Sequence, residues 1–283
     1  MLTPSLLSIL VLAELNSRAL AFFNTSTCTA NQTAFARTAL NDAFDDFHTM
    51  YLSERTGMGI GKLSYEDIPV LRTRYFGHLF PNQSAFVAEA IQTTKFFSET
   101  ANLTISCVRP GVDFRPAMAC SSLLGSGIFT IADAGSQSIG LCAAFFALPQ
   151  RSTVLVRPRG VRQHDAAEWN TAATSLVFSL VSLANPQVCQ ITNETKSCGL
   201  FADFRTPLPS SSLRDSTALQ TCVQRIAATE PNVAIRYAYS YALYTSAIAL
   251  GTELGMPRPV RLRGRGLDRA GRLGSRKKNL GPG

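Results

Sequence analysis

Residues 172–184 read AATSLVFSLVSLA, an uncharged stretch that ends at the turn residues Asn185-Pro186. Its apolar part, Thr174–Ala184, has 11 residues. A helix needs about 20 apolar residues to cross a bilayer, so this stretch is too short to be a membrane span. The stretch therefore predicts a buried segment of a globular domain, and its side chains decide which chemistry that domain can carry.

The N-terminus has the pattern of a secretory signal. Leu6–Ala13 is an apolar run, and the small-residue pattern Ala19-Leu20-Ala21 follows it. We therefore predict a signal peptide over residues 1–21, with a mature chain that starts near Phe22. The alternative interpretation of the same run is a buried first helix.

Two further features predict an extracellular protein. Five acceptor sequences for N-linked glycosylation follow the signal, at Asn24, Asn31, Asn82, Asn102 and Asn193. The seven cysteines include no CxxC pair, which argues against zinc-finger and redox motifs; they are Cys28, Cys107, Cys120, Cys142, Cys189, Cys198 and Cys222. In an oxidising compartment they predict up to three disulfide bonds and one unpaired thiol.

The net charge of +8 is concentrated at the C-terminus. Residues 257–283 hold nine Lys or Arg and one Asp, and the remaining residues carry equal numbers of basic and acidic side chains. We expect a domain over residues 22–256 with no general affinity for nucleic acid, followed by a disordered basic tail. The tail has no aromatic residue for base stacking, which argues against nucleic acid as its partner.

Hydrophobic periodicity predicts an α+β domain that is mainly helical, with a small β-sheet. The predicted helices cover residues 33–54, 84–100, 216–229 and 232–250, and the predicted strands cover residues 103–108, 127–132 and 138–146. In the first helix we expect Asp42, Asp45 and Asp46 to lie mostly on the polar side. The glycine-rich segment Arg55–Lys62 lacks the spacing of a phosphate-binding loop, so we interpret it as a turn.

Several short strings occur in an order that is typical of one family. They are RYFG at 74–77, IGLCAAFFALP at 139–149, AATSLVFSLVSLA at 172–184 and NVAIRYAYSYALY at 232–244. Together they resemble the fungal deuterolysin and peptidyl-Lys metalloendopeptidase family of secreted zinc proteases, the aspzincins, over roughly residues 28–250. The resemblance implies a zincin-like fold in which residues 172–184 form the central helix.

The central helix of that family carries HExxH, in which two histidines one turn apart hold zinc and the glutamate activates a water molecule. The corresponding positions here are Val177-Phe178-Ser179-Leu180-Val181. Valine and phenylalanine neither bind zinc nor transfer a proton. We therefore expect no catalytic residue, no metal ligand and no cofactor at Val177, Phe178 and Val181.

Other residues offer weaker candidates for a metal site. The family's third ligand is an aspartate beyond the central helix, for which Asp203 and Asp215 are the alternatives. In HDAAE, His164 and Glu168 have the i, i+4 spacing of two ligands on one helical face. A solvated polar turn is the plainer interpretation of that stretch, and Asp215 also suits a helix N-terminus.

The resemblance also implies disulfide bonds between Cys28 and Cys107 and between Cys120 and Cys142. Three cysteines would then remain for one further bond and one free thiol.

Three functions follow as hypotheses. The first is a secreted pseudoenzyme that binds an unknown protein or surface ligand. The second is an active zinc metalloendopeptidase with atypical ligands, and the third is a structural surface glycoprotein.

Overall fold

The computed structural model of the protein describes residues 20–23, 26–57, 60–109, 120, 130–133, 136–155, 171–188 and 216–254. The fold is α+β, mainly helical with a small sheet, and it is disulfide-bonded. The helices are α1 Ala30–Thr56, α2 Asp67–Phe76, α3 Pro81–Thr100, α4 Arg151–Leu155, α5 Ala172–Ala184, α6 Ser216–Thr229, α7 Pro231–Ala234 and α8 Ala238–Leu254. The strands are β1 Leu20–Phe23, β2 Asn102–Cys107, β3 Thr130–Asp133 and β4 Ser138–Leu141.

Helix α1 is longer than the periodicity predicts because both of its ends are capped. The side chains and backbones of Thr29 and Gln32 bond reciprocally at its start, and Gly57 ends it with a φ of 61°. Asp45 is exposed, as expected, but the placement of Asp46 on the polar side is wrong. Asp46 is buried, because it continues a second buried row that includes Ala43 and Met50.

Helix α2 covers the RYFG string and was not predicted. Gly77 ends this helix with a φ of 80°, a conformation that favours glycine. A side chain at Gly77 would collide with the carbonyl oxygen of Ala227 in α6. The glycine of this string therefore permits a close contact between two helices.

The sheet has the order β1-β2-β4-β3, in which β1, β2 and β4 are parallel and β3 is antiparallel to β4. The predicted strand 138–146 is too long, because the chain turns into a 3-10 helix at Ala143–Ala147. The predicted strand 127–132 begins at Thr130 within the described residues. One face of the sheet is buried and the other is partly exposed.

Helix α5 has the predicted bounds and lies in the middle of the domain. Its N-terminus is capped by reciprocal bonds between Thr171 and Thr174. It packs against α8, α1, α3 and β3. Every residue from Ala172 to Leu183 is buried, so the helix has no solvent-facing side over that range.

The predicted helix 232–250 is interrupted at residues 235–237, which separate α7 from α8. The hydroxyl of Tyr241 donates to the carbonyl oxygen of Ile235 at 2.7 Å. That carbonyl would accept from the backbone N–H of Tyr239 in a continuous helix. The hydroxyl of Tyr241 thus supplies a donor to a carbonyl oxygen that the break leaves without its helical donor.

Disulfide bonds join Cys28 to Cys107 and Cys120 to Cys142, the two pairs that the family resemblance implies. The first bond connects the start of α1 to the end of β2. Among the described residues, no helix combines the length and apolar character that a bilayer span requires.

Candidate functional site

The five positions that the family resemblance places at HExxH, Val177–Val181, are all buried. Val177, Ser179, Leu180 and Val181 have no exposed surface, and Phe178 is 4% exposed. The ring of Phe178 stacks on Tyr239 of α8, with centroids 4.3 Å apart and an interplanar angle of 22°. These side chains belong to the main hydrophobic core, so the pentad is occupied by packing residues.

A hydroxyl pair fixes α5 against the antiparallel strand. Ser179 donates to the hydroxyl of Thr130 at 2.7 Å, and that hydroxyl donates to the backbone oxygen of Ser175 at 3.1 Å. Both side chains are buried. The middle position of the pentad therefore holds a strand in place, and it presents no group to solvent.

A second hydroxyl pair joins α5 to the last helix. The side-chain oxygens of Thr174 and Ser246 lie 2.6 Å apart, and both residues are buried. Small side chains of this kind allow two helix backbones to approach closely while their polar atoms remain bonded. The central helix is thus positioned by hydrogen bonds on the sheet side and on the helix side.

The C-terminal end of α5 is anchored by Asn185. Its side-chain amide donates to the Thr94 hydroxyl at 2.8 Å and approaches the carbonyl oxygens of Ala90 and Val181 at 3.3 and 3.1 Å. Asn185 is 2% exposed. The contact ties the end of α5 to the middle of α3.

We predict that Asn185→Ala lowers the free energy of unfolding by about 2 kcal/mol, because buried acceptors lose their donor. Urea denaturation followed by circular dichroism measures the change. Asn41→Ala is the matched control, since Asn41 is exposed on α1 and should change stability by less than about 0.5 kcal/mol. Equal losses in the two variants would contradict the anchoring role.

The described residues contain one deeply buried carboxylate, Asp46, whose oxygen lies 2.7 Å from Arg151 on α4. The two groups are close enough for an ion pair, but they lack the alignment of a hydrogen bond. Burial raises the pKa of Asp46 to about 7, against the opposing effect of Arg151. Burial also raises the pKa of Asp42, one turn earlier on α1.

A second ionic group joins four helices, α1, α2, α3 and α8, at the other end of α1. Glu54 pairs with Arg72 at 3.3 Å and accepts a hydrogen bond from the hydroxyl of Tyr244. Arg72 also donates to the backbone oxygen of Ser84. Burial, followed by the charge of Glu54, raises the pKa of Tyr244, so this hydroxyl stays protonated and acts as a donor.

The sequence analysis did not predict these two ionic groups. The burial of Asp46 could have been predicted, because Asp46 lies at helical spacing from the apolar residues Ala39, Ala43 and Met50. Each group joins helices within the core. Neither group belongs to a cluster of three His, Cys, Asp or Glu that could hold a metal ion, and the described part of the chain contains no such cluster.

Most of the weaker candidates lie outside the described residues. These are His164, Glu168, Asp203, Asp215, Cys189, Cys198, Asn24 and Asn193. Cys222 is part of α6, but its side chain lies outside the description. His48 and His78 are both exposed, and so are the acceptor residues Asn31, Asn82 and Asn102.

Comparison with known proteins returned few matches. No protein-family model matches the chain, and no curated protein matches it. Among solved structures, the chain is similar to a zinc peptidase from Grifola frondosa, with a TM-score of 0.46 and 11% sequence identity. That similarity covers 77% of this chain and 96% of the peptidase chain.

Proposed function

We propose that this chain is a secreted, deuterolysin-like protein that has no catalytic zinc site and acts by binding an extracellular partner. The ordered strings described above support a relationship to that family. The central helix begins and ends where the resemblance requires. The two disulfide bonds join the pairs of cysteines that the resemblance implies.

One observation carries the proposal: the pentad that would hold zinc is filled by core packing. Phe178 occupies the position of the catalytic glutamate and is stacked on Tyr239. Val177 and Val181, at the histidine positions, have no exposed surface. A substrate and a zinc-bound water need an accessible site, and this helix has no accessible side over these positions.

The extracellular location is part of the proposal. It is supported by the apolar run at Leu6–Ala13, by the disulfide bonds and by the exposure of three acceptor asparagines. Strand β1 begins at Leu20, so removal of residues 1–21 would leave its second half, Phe22 and Phe23, to pair with β2.

The test combines metal analysis with an activity assay on the secreted, purified chain. We expect less than stoichiometric zinc by elemental mass spectrometry and no casein cleavage that a chelator inhibits. Zinc near one per chain, with chelator-sensitive cleavage, would establish the active metalloendopeptidase instead. His164→Ala would then be the first variant to examine, followed by Glu168→Gln.

A binding experiment separates a binding protein from a structural glycoprotein. We expect the labelled chain to bind its source cells or their surface material saturably, with competition by unlabelled chain. A heat-unfolded sample of the same chain is the control. Adsorption that does not saturate would favour the structural role.

A further inference from the structure

Strands β2, β3 and β4 share a face with polar, partly exposed side chains that no function discussed so far uses. Along β2 the burial alternates, so Leu103, Ile105 and Cys107 are buried while Asn102 and Thr104 are exposed. Successive side chains of a strand point to opposite faces, which places Asn102 and Thr104 on the same, outer face. Asn102, Leu103 and Thr104 form one of the acceptor sequences.

The strand register extends this outer face across the sheet. Thr104 is paired with Ser138 of β4, and Ser138 is paired with Asp133 of β3. Asp133 is exposed and Ser138 is partly exposed. Ser136 joins the row through hydrogen bonds of its hydroxyl with Asp133 and Ser138, at 2.8 and 2.6 Å.

The opposite face has a different composition. Ile105 is paired with Ile139, which is paired with Ala132, and all three are buried. This row packs in the hydrophobic core. The small polar residues of the outer face therefore reflect contact with a polar environment on that side of the sheet.

We propose that Asn102 carries an N-linked oligosaccharide, and that this glycan covers the outer face of the sheet formed by Asn102, Thr104, Ser138 and Asp133. The inference rests on secretion, which is part of the proposed function, and does not depend on the absence of catalysis. A large hydrated group on this face sterically hinders a second chain from packing against it. The glycan thus keeps the secreted chain monomeric.

The chemistry is a group transfer catalysed by a membrane-bound transferase of the secretory pathway. The side-chain amide nitrogen of Asn102 forms a bond to the first sugar carbon of a lipid-diphosphate-linked oligosaccharide. The bond between that carbon and the diphosphate oxygen breaks, and the lipid diphosphate leaves. The amide nitrogen loses one proton to a base of the transferase.

Peptide mass mapping of the full chain, secreted from a eukaryotic host, tests occupancy. An amidase that releases N-linked glycans converts each occupied asparagine to aspartate and marks it by mass. We expect the mark on Asn102. An unmarked Asn102 peptide would overturn the inference, whether or not Asn31 and Asn82 are marked.

Two substitutions at one position separate the glycan from the fold. Thr104→Ala removes the hydroxyl of the acceptor sequence and keeps Asn102, whereas Thr104→Ser keeps a hydroxyl. We expect the first variant to lose the mark on Asn102 and the second to retain it. A mark on Asn102 in Thr104→Ala would contradict the assignment.

Self-association tests the covering role, by light scattering with size-exclusion chromatography. We expect Thr104→Ala and Asn102→Gln to form dimers or larger species at concentrations where the parent chain is monomeric. Asn82→Gln is the matched control, because Asn82 is exposed on the first turn of α3, and it should stay monomeric. Monomeric behaviour of both Asn102→Gln and Thr104→Ala would overturn the covering role.

Zinc content and casein cleavage distinguish failure of this inference from failure of the proposed function. A secreted chain without zinc but with a bare Asn102 refutes the glycan alone. A marked Asn102 on a chain that holds zinc and cleaves casein refutes the pseudoenzyme alone. Retention of an unglycosylated chain in the cell refutes the glycan together with secretion.

Discussion

Introducing HExxH into the central helix will unfold the protein and will not produce a peptidase. The triple variant Val177→His, Phe178→Glu, Val181→His places two imidazoles and a carboxylate at fully enclosed positions. Each buried polar group without a partner costs about 1 to 3 kcal/mol, and the stacking of Phe178 on Tyr239 is also lost. The sum is comparable with the 5 to 15 kcal/mol that stabilises a typical domain.

The expected readouts are loss of secretion and, for any material recovered, loss of the cooperative urea transition with or without zinc. Helix α3 offers a matched control, because Ala88 and Gln92 flank Glu89 with the same spacing and both are exposed. Ala88→His with Gln92→His creates HExxH on the surface and should cost about 1 kcal/mol or less. A folded, zinc-binding triple variant would mean that the pentad faces an accessible site.

Removing Arg151 will destabilise the protein more at pH 8 than at pH 5. Asp46 has a folded-state pKa of about 7, above its ordinary value of 3.8. A raised pKa means that its contribution to stability is full below about pH 3.8 and is lost as the pH rises through 7. Without Arg151 this pKa rises further, so at pH 8 the folded variant must take up a proton that the folded parent chain does not need, and folding costs more.

We expect Arg151→Met to lower the free energy of unfolding by about 1 to 2 kcal/mol more at pH 8 than at pH 5, because Asp46 of the variant takes up a proton and each pH unit above the parent pKa of about 7 then costs about 1.4 kcal/mol. At pH 5 Asp46 is protonated, so the loss should reflect packing alone. The double variant Asp46→Leu, Arg151→Met should recover most of the loss at pH 8, because it leaves no buried charge. Urea denaturation of the parent and the variants at pH 5 and pH 8 measures these changes. A loss of unfolding free energy that is the same at both pH values would contradict the role of Asp46.

The sequence predicted those helices in which the spacing of apolar residues along the helix matches the side that is buried. The family resemblance gave the bounds of α5, around the apolar run Thr174–Ala184, and α6 followed from a single apolar face. Helix α2 was missed because its buried residues, Ile68, Leu71, Tyr75 and Phe76, are separated by arginines and by Pro69. Its position depends on contacts with α6 and α8, which are distant in the sequence.

The candidate site was predictable in part. Residue type alone predicts that Val177, Phe178 and Val181 do not bind a metal ion, because valine and phenylalanine have no ligand atom. The stacking of Phe178 on Tyr239 could not be predicted, because the position of Tyr239 depends on the break at residues 235–237, which shifts the register of the last helix. The pairing of Asp46 with Arg151 likewise joins residues that are far apart in the chain.

The bond between Cys28 and Cys107 closes residues 28–107 into a covalent ring that contains three helices, α1, α2 and α3. A single cut by a protease in the turn between α1 and α2 would open this ring without releasing a fragment. The two pieces would migrate together on a gel until a reductant separates them. Where peptidases are abundant, the disulfide bond therefore keeps the two pieces of a once-cut chain covalently joined. The buried contacts between α1 and α5 can then keep the cut protein folded.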